Sequence, residues 1–173
     1  EAPIVFTSKA ANGLKAAGQW GGIIILGNAS NWSGSNVNVE GLATDPLNQY
    51  GDAGDDPIED QDSGSLEYVR IEFGGTELLD GNEINGLTMG SVGSGTRVSY
   101  VQVNTTWDDG FEWFGGSSSG DHLVSNNAGD DMFDMDQGFT GEVHTIFGRQ
   151  VATVKADPNG FEWDSSLSDL QPA

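Results

Sequence analysis

The sequence predicts an all-β chain wound as a right-handed parallel β-helix, with coils of roughly 22–28 residues. Three observations lead there. A five-residue pattern recurs along the second half of the chain. Glycine-rich turns follow three of its copies. A second apolar-alternating segment comes after each of those turns.

The pattern is Asn or Asp, a variable residue, a large apolar residue, a polar residue and a second large apolar one. Asn85-Gly86-Leu87-Thr88-Met89 is followed 24 residues on by Asp109-Gly110-Phe111-Glu112-Trp113. Asp131-Met132-Phe133-Asp134-Met135 comes 22 residues later, and Asn159-Gly160-Phe161-Glu162-Trp163 after a further 28. Period-two alternation marks a strand with one buried face. Leu87, Phe111, Phe133 and Phe161 then form one inward stack, and Met89, Trp113, Met135 and Trp163 the next. Thr88, Glu112, Asp134 and Glu162 are expected to point outward.

The turns are residues 90–93, 115–118 and 138–141, with Gly supplying positive φ. The second strands are 98–103, 122–125 and 143–146, and an earlier one spans 66–73. Polar links, 104–108 in one coil and 127–130 in the next, close the repeat. A leucine-rich repeat has a similar period, but its Leu-x-x-Leu-x-Leu order is absent. No 3.6-residue pattern supports a helical solenoid. A β-sandwich remains the alternative, since short strands between Gly-rich turns also describe it. The ladder of like residues favours the solenoid, whose coils stack equivalent side chains.

The first third is less regular. Residues 4–7 and 20–26 read as strands and 37–40 as a third. Residues 45–65 are expected to form an acidic loop projecting from a single domain that spans 1–173.

Composition narrows the partners. Twenty-seven acidic and six basic residues leave a formal charge of −21, which repels nucleic acid and anionic lipid. No stretch is apolar enough to span a membrane; the longest run is Ile23-Ile24-Ile25-Leu26. With no Cys, neither disulfides nor thiolate metal sites are available. Abundant Gly, Ser and Asn with scarce Lys fit an extracellular or cell-surface setting.

A family resemblance rests on residues 3–8, 19–27, 66–75, 83–89 and 108–116. The Trp20-Gly21-Gly22 and Gly110-Phe111-Glu112-Trp113-Phe114-Gly115-Gly116 strings are its most specific parts. Together they resemble secreted or surface-anchored bacterial proteins of unassigned function with pectate-lyase-like β-helices. The resemblance reaches to about Gly148. It implies the fold and an extracellular setting, and it brings no catalytic residues. Similar proteins carry further β-helix sequence before the Pro3-Ile4-Val5-Phe6-Thr7 strand. Either this chain is a fragment, or neighbouring subunits cover its open ends and stack head to tail.

Four candidate sites follow. The acidic ladder Asp108, Asp109, Glu112, Asp130, Asp131, Asp134 and Asp136 puts carboxylates on stacked coils about 4.8 Å apart. Ca²⁺, which accepts six to eight oxygens, would cancel their repulsion; the competing reading is a solvated acidic face. Asp52, Asp55 and Asp56 belong to an acidic Gly-containing loop with the composition, but not the order, of a calcium loop. For catalysis the six cations are dispersed, and Arg70 is expected to pair with Glu72 on the surface. His122 and His144 are expected to stack one coil apart. Trp32 and Trp107, in turns, are the two candidate sugar platforms.

These observations point to a non-enzymatic, Ca²⁺-stabilised extracellular subunit that assembles with itself into a filament or surface layer. The alternative is a domain that binds or cleaves extracellular polysaccharide.

Overall fold

The computed structural model describes residues 2–51, 56–79, 82–151 and 158–164. Ten strands make two five-stranded sheets, and every neighbouring pair in them is parallel. The first sheet is β1 (Ile4–Thr7), β5 (Ser65–Glu72), β9 (Arg97–Asn104), β11 (Ser119–Asn126) and β13 (Val143–Arg149), in that order. The second is β2 (Ile23–Leu26), β8 (Leu87–Gly90), β10 (Phe111–Phe114), β12 (Phe133–Asp136) and β14 (Glu162–Trp163). Each coil therefore adds one strand to each sheet. Parallel pairing disposes of the β-sandwich alternative, whose sheets are antiparallel.

The predicted stacks are in register. Leu87, Phe111 and Phe133 are level, as are Met89, Trp113, Met135 and Trp163. Phe111 and Phe133 stack at 5.3 Å between ring centroids, and Phe133 and Phe161 at 5.5 Å. Val69, Ile71, Val101, Val103 and Leu123 of the first sheet complete the core. Glycine in the second position of the first two copies, Gly86 and Gly110, has a steric cause. A Cβ on Gly86 would run into Val103 Cγ1 of the next coil.

Coil length varies more than the repeat suggests. Asn104 and Asn126, level with each other, are 22 positions apart, but Glu67 and Ser99 are 32 apart. The extra residues form a small antiparallel pair, β6 (Glu77–Leu79) and β7 (Asn82–Glu83). Thr7 and Glu72 are 65 apart, because the first coil carries a long excursion.

The chain turns at three ladders of left-handed residues. One ladder is Tyr68, Tyr100, His122 and Thr145, with φ of 55, 54, 53 and 52°. It bends each long strand of the first sheet in the middle. The second is Phe73, Thr105 and Asn127, and the third Ser91, Gly115 and Gln137. Nine of these ten residues are not glycine, so the sequence signal for positive φ was largely missing.

The excursion does not project as expected. From Asn28 a strap runs across the coils at the third corner. Ala29 N donates to Ser91 O (2.8 Å), Gly116 N to Ser30 O (2.7 Å), and Trp32 N to Gln137 O (2.9 Å). An antiparallel pair, β3 (Val37–Asn38) and β4 (Gln49–Tyr50), follows, with a short 3₁₀ turn, Pro46–Asn48, capped by Asp45. Val37, Val39, Leu42 and Tyr50 pack on Ile24, Leu26 and Phe114, on the outer face of the second sheet. Residues 56–64 also fold back: Ile58 N donates to Asn28 O (2.9 Å) and Ser94 N to Glu59 O (2.7 Å). Thr88, Glu112 and Asp134 do point away from the core, as expected, but they are buried, because this cover lies over their sheet. Glu162, on the last coil, is exposed.

Candidate functional site: a covered acidic ladder

The first residue of each repeat has a structural task. Asp109 N donates to Asn85 Oδ1 (3.2 Å), Asp131 N to Asp109 Oδ1 (2.8 Å), and Asn159 N to Asp131 Oδ1 (2.7 Å). Each Asn or Asp side chain thus accepts the backbone N–H of its counterpart one coil later. This ladder satisfies donors that the polar turns would otherwise bury unpaired, and it explains why only Asn or Asp occupies the position.

Beside the ladder lie the acidic side chains of the second sheet. Among the described residues, two groups bring carboxylate oxygens within 4.8 Å of one another: Asp108, Asp109 and Asp130, and Asp109, Glu112 and Asp134. The first is half-buried at its edges and the second is buried throughout. Asp131 and Asp136 belong to neither group. Asp56 is exposed on the folded-back segment, and Asp52 and Asp55 lie outside the described residues.

Burial dominates the electrostatics of the inner group. It raises Asp109 and Glu112 well above the ordinary carboxylate range, and neighbouring carboxylates push them further. Burial also takes Asp134 up to about 6, against the lowering effect of its hydrogen bond from Glu112. Burial thus favours the protonated form of Glu112, the donor in its hydrogen bond with Asp134, while Asn85 Nδ2 donates to Glu112 Oε2. Glu162 is pushed up to about 7, first by its hydrogen bond with Asp131 and then by burial and the Asp131 charge. Burial raises the Tyr50 phenol as well; its hydroxyl donates to Gln137 Oε1 at 3.2 Å.

The two groups differ as cation sites. Ca²⁺ takes six to eight oxygens. In the inner group Asp109 Oδ1 already accepts from Asp131 N, and Glu112 Oε2 from Asn85. Asp134 Oδ1 is left buried without a hydrogen-bond partner, but three residues under a cover leave little room for the waters that would complete a shell. The outer group shares Asp109 with the inner one and differs in that its other two members, Asp108 and Asp130, are only half-buried, which leaves access for water to complete a shell.

The other candidates come out as follows. Arg70 Nη2 pairs with Glu72 Oε1 at 2.6 Å, as expected of a surface ion pair. The two histidines do not stack. Level positions in these two strands pair Asp121 with His144 and Leu123 with Ile146, so His122 falls level with Thr145, one place beyond His144. His122 Nδ1 pairs with Asp121 (2.8 Å) and His144 Nε2 with Glu142 (3.0 Å). Trp107 is half-buried against Gly18, with its Nε1 unpartnered. Trp32 is 47% exposed but lies with its ring over Gly138.

A surface aromatic column was not foreseen. Tyr68 and Tyr100 stack at 4.7 Å with rings 6° apart, and Tyr100 and His122 at 4.4 Å. The three lie in the crease where the long strands bend. Their signal was their equivalent place in successive strands, obscured because alternation assigns every second residue to a face and does not predict a mid-strand bend.

A family model described as a pectate-lyase-like beta helix domain matches residues 1–171. No curated protein and no solved structure matches the chain.

Proposed function

The chain belongs to the pectate-lyase-like β-helix domain family, and from that premise we propose that it is an extracellular structural subunit, a right-handed, Ca²⁺-stabilised β-helix that stacks head to tail with further copies. The right hand follows from the preference of parallel crossover connections.

The observation that carries the reading is the state of the core columns at the two ends of the described coils. Ile4 and Phe6 are level with Val69 and Ile71, which face the core, yet they are 62% and 41% exposed. At the other end Phe161 and Trp163 continue the two central stacks and are 51% and 66% exposed. Among the described residues, no further strand pairs with the end strands of either sheet. Another coil laid on either end would pair the edge and bury these side chains, each contributing about 25 cal/mol per Å² covered.

Ca²⁺ enters the reading at Asp108, Asp109 and Asp130, where it would offset like charge on adjacent coils. The acidic surface and the abundance of Gly, Ser and Asn with scarce Lys suit an extracellular or cell-surface protein. No catalytic step is part of the reading. Among the described residues no helix is long and apolar enough to cross a membrane.

Negative-stain electron microscopy with Ca²⁺ and then with excess chelator tests both parts. Filaments that dissolve on chelation support the whole reading. Filaments indifferent to chelator retain stacking and remove the ion. Monodisperse particles under both conditions overturn the stacking. A second reading, polysaccharide binding, is favoured by one observation, the aromatic crease.

A further inference from the structure

We propose that the crease holding Tyr68, Tyr100 and His122 binds a neutral glycan chain lying along the stack of coils. The proposal rests on the polysaccharide reading and supplies its site and its class of ligand.

The crease is an open groove of about 540 Å³. It runs along the coil stack, past the column of three rings. In a chain with 27 acidic and six basic residues, none of the thirteen residues lining it is acidic, and Arg70 is among them. Two carboxylates are held in ion pairs with lining residues, Asp121 with His122 and Glu72 with Arg70. The rings stack face to face, so they offer a ligand their hydrogen-bearing edges, which carry partial positive charge, and in the two tyrosines a hydroxyl. Gln102, Arg70 and Thr145 add polar groups, and Val124 and Phe147 add apolar ones. Closely spaced hydroxyls alternating with apolar C–H faces match that lining. The net charge of −21 selects among such polymers: a uronate chain is repelled by the surrounding field and a neutral one is not.

Backbone strain points the same way. Tyr68 and Tyr100 sit at φ of 55 and 54°, where Gly or Asn is accommodated at less cost. Tyr68 is 60% exposed and Tyr100 42%, so core packing does not demand the rings.

The choice of variant follows from that strain. Tyr100→Asn suits the left-handed backbone and is expected to keep or raise the melting temperature while breaking the column. Calorimetric titration of neutral hexasaccharides (gluco-, xylo- and manno-configured) and of hexagalacturonate is the test. The proposal expects at least one neutral hexasaccharide to bind, hexagalacturonate to bind more weakly, and Tyr100→Asn and Tyr68→Asn each to weaken the neutral ligand roughly tenfold or more. Trp32→Ala, outside the crease, is expected to leave binding unchanged. Glycan binding that survives both tyrosine changes overturns the site and leaves the polysaccharide reading standing. Tighter binding of hexagalacturonate overturns the choice of a neutral ligand. No binding by any of the four overturns both.

Discussion

Asp109 joins two demands in one side chain: its Oδ1 accepts the Asp131 N–H, and its carboxyl, raised well above the ordinary range by burial, lies among Asp108, Glu112 and Asp134. Substitutions separate the two. Asp109→Asn keeps the acceptor and removes the ionisable carboxyl that burial and its neighbours disfavour, so in chelator it is expected to melt higher than the parent, and to lose the rise in melting temperature on adding Ca²⁺. A parent that gains nothing from Ca²⁺ would remove the ion from the account. Asp131→Ala instead deletes the side-chain acceptor of the exposed Asn159 N–H, at about 0.5–1.5 kcal/mol, the net worth of one hydrogen bond, read from urea midpoints at constant slope. Proton linkage gives a further test of the inner group. Asp134 titrates at about 6 in the folded chain, above the roughly 3.9 of an unfolded one. Between those values the folded state binds more protons at Asp134, so stability in chelator falls as pH rises through the window, and above it the Asp134 share is fully lost. Asp134 contributes at most about 3 kcal/mol to the fall. Urea midpoints that rise or stay flat from about pH 4 to about pH 7 would contradict the raised Asp134 carboxyl.

At the scale of elements, the cover decides whether the acidic face is a surface or an interior. Tyr50 is its main contact: 3% exposed, stacked on Phe114 at 5.9 Å, and hydrogen-bonded to Gln137. Tyr50→Ala is expected to cost about 3 kcal/mol. It would also admit water over the second sheet and let the Asp134 carboxyl fall from about 6 toward its ordinary value, followed by NMR titration. A loss of stability with no change at Asp134 would mean that the cover packs without drying the cluster. The sequence was informative about the strands and poor about the cover for one physical reason. Stacked coils repeat their environment, so Leu87, Phe111 and Phe133, or Asn85, Asp109 and Asp131, announce themselves by recurrence. Val39, Leu42 and Tyr50 occur once, scattered among Gly, Asn and Asp, with no partner copy to reveal them. Thr88, Glu112 and Asp134 looked solvent-facing because alternation distinguishes two faces of a strand and is silent on what lies over the second. The bend at Tyr68, Tyr100 and His122 was hidden in a similar way, because bulky side chains occupy a backbone state that composition assigns to Gly or Asn.

For the whole molecule, the two sheets grow in the same direction, from β1 and β2 at one end to β13 and β14 at the other. A second copy added to the last coil can therefore extend both sheets at once, with every new pair parallel. Register is then determined by continuation. Val5 is level with Arg70, and that column runs through Gln102 and Val124 to Phe147, so Val5 of the incoming copy belongs opposite Phe147. Neighbouring strands lie about 4.8 Å apart, inside the range of roughly 4.4–6.8 Å over which two Cα atoms accept a disulfide. The chain has no Cys of its own, so introduced pairs have no competitor. Val5 and Phe147 are 43% and 57% exposed and point away from the core, so replacing them leaves the stacks intact. The double variant Val5→Cys, Phe147→Cys is expected to give a ladder of covalent multimers under mild oxidation, seen on a non-reducing gel and collapsed by reductant. Val5→Cys with His144→Cys, out of register, is expected to give far less. Equal ladders from both pairs would mean random collision rather than stacking. Filaments without a ladder would mean that copies stack in another register. Monomer alone from both pairs, at concentrations where the parent also forms no filaments, would mean that no second copy covers these ends.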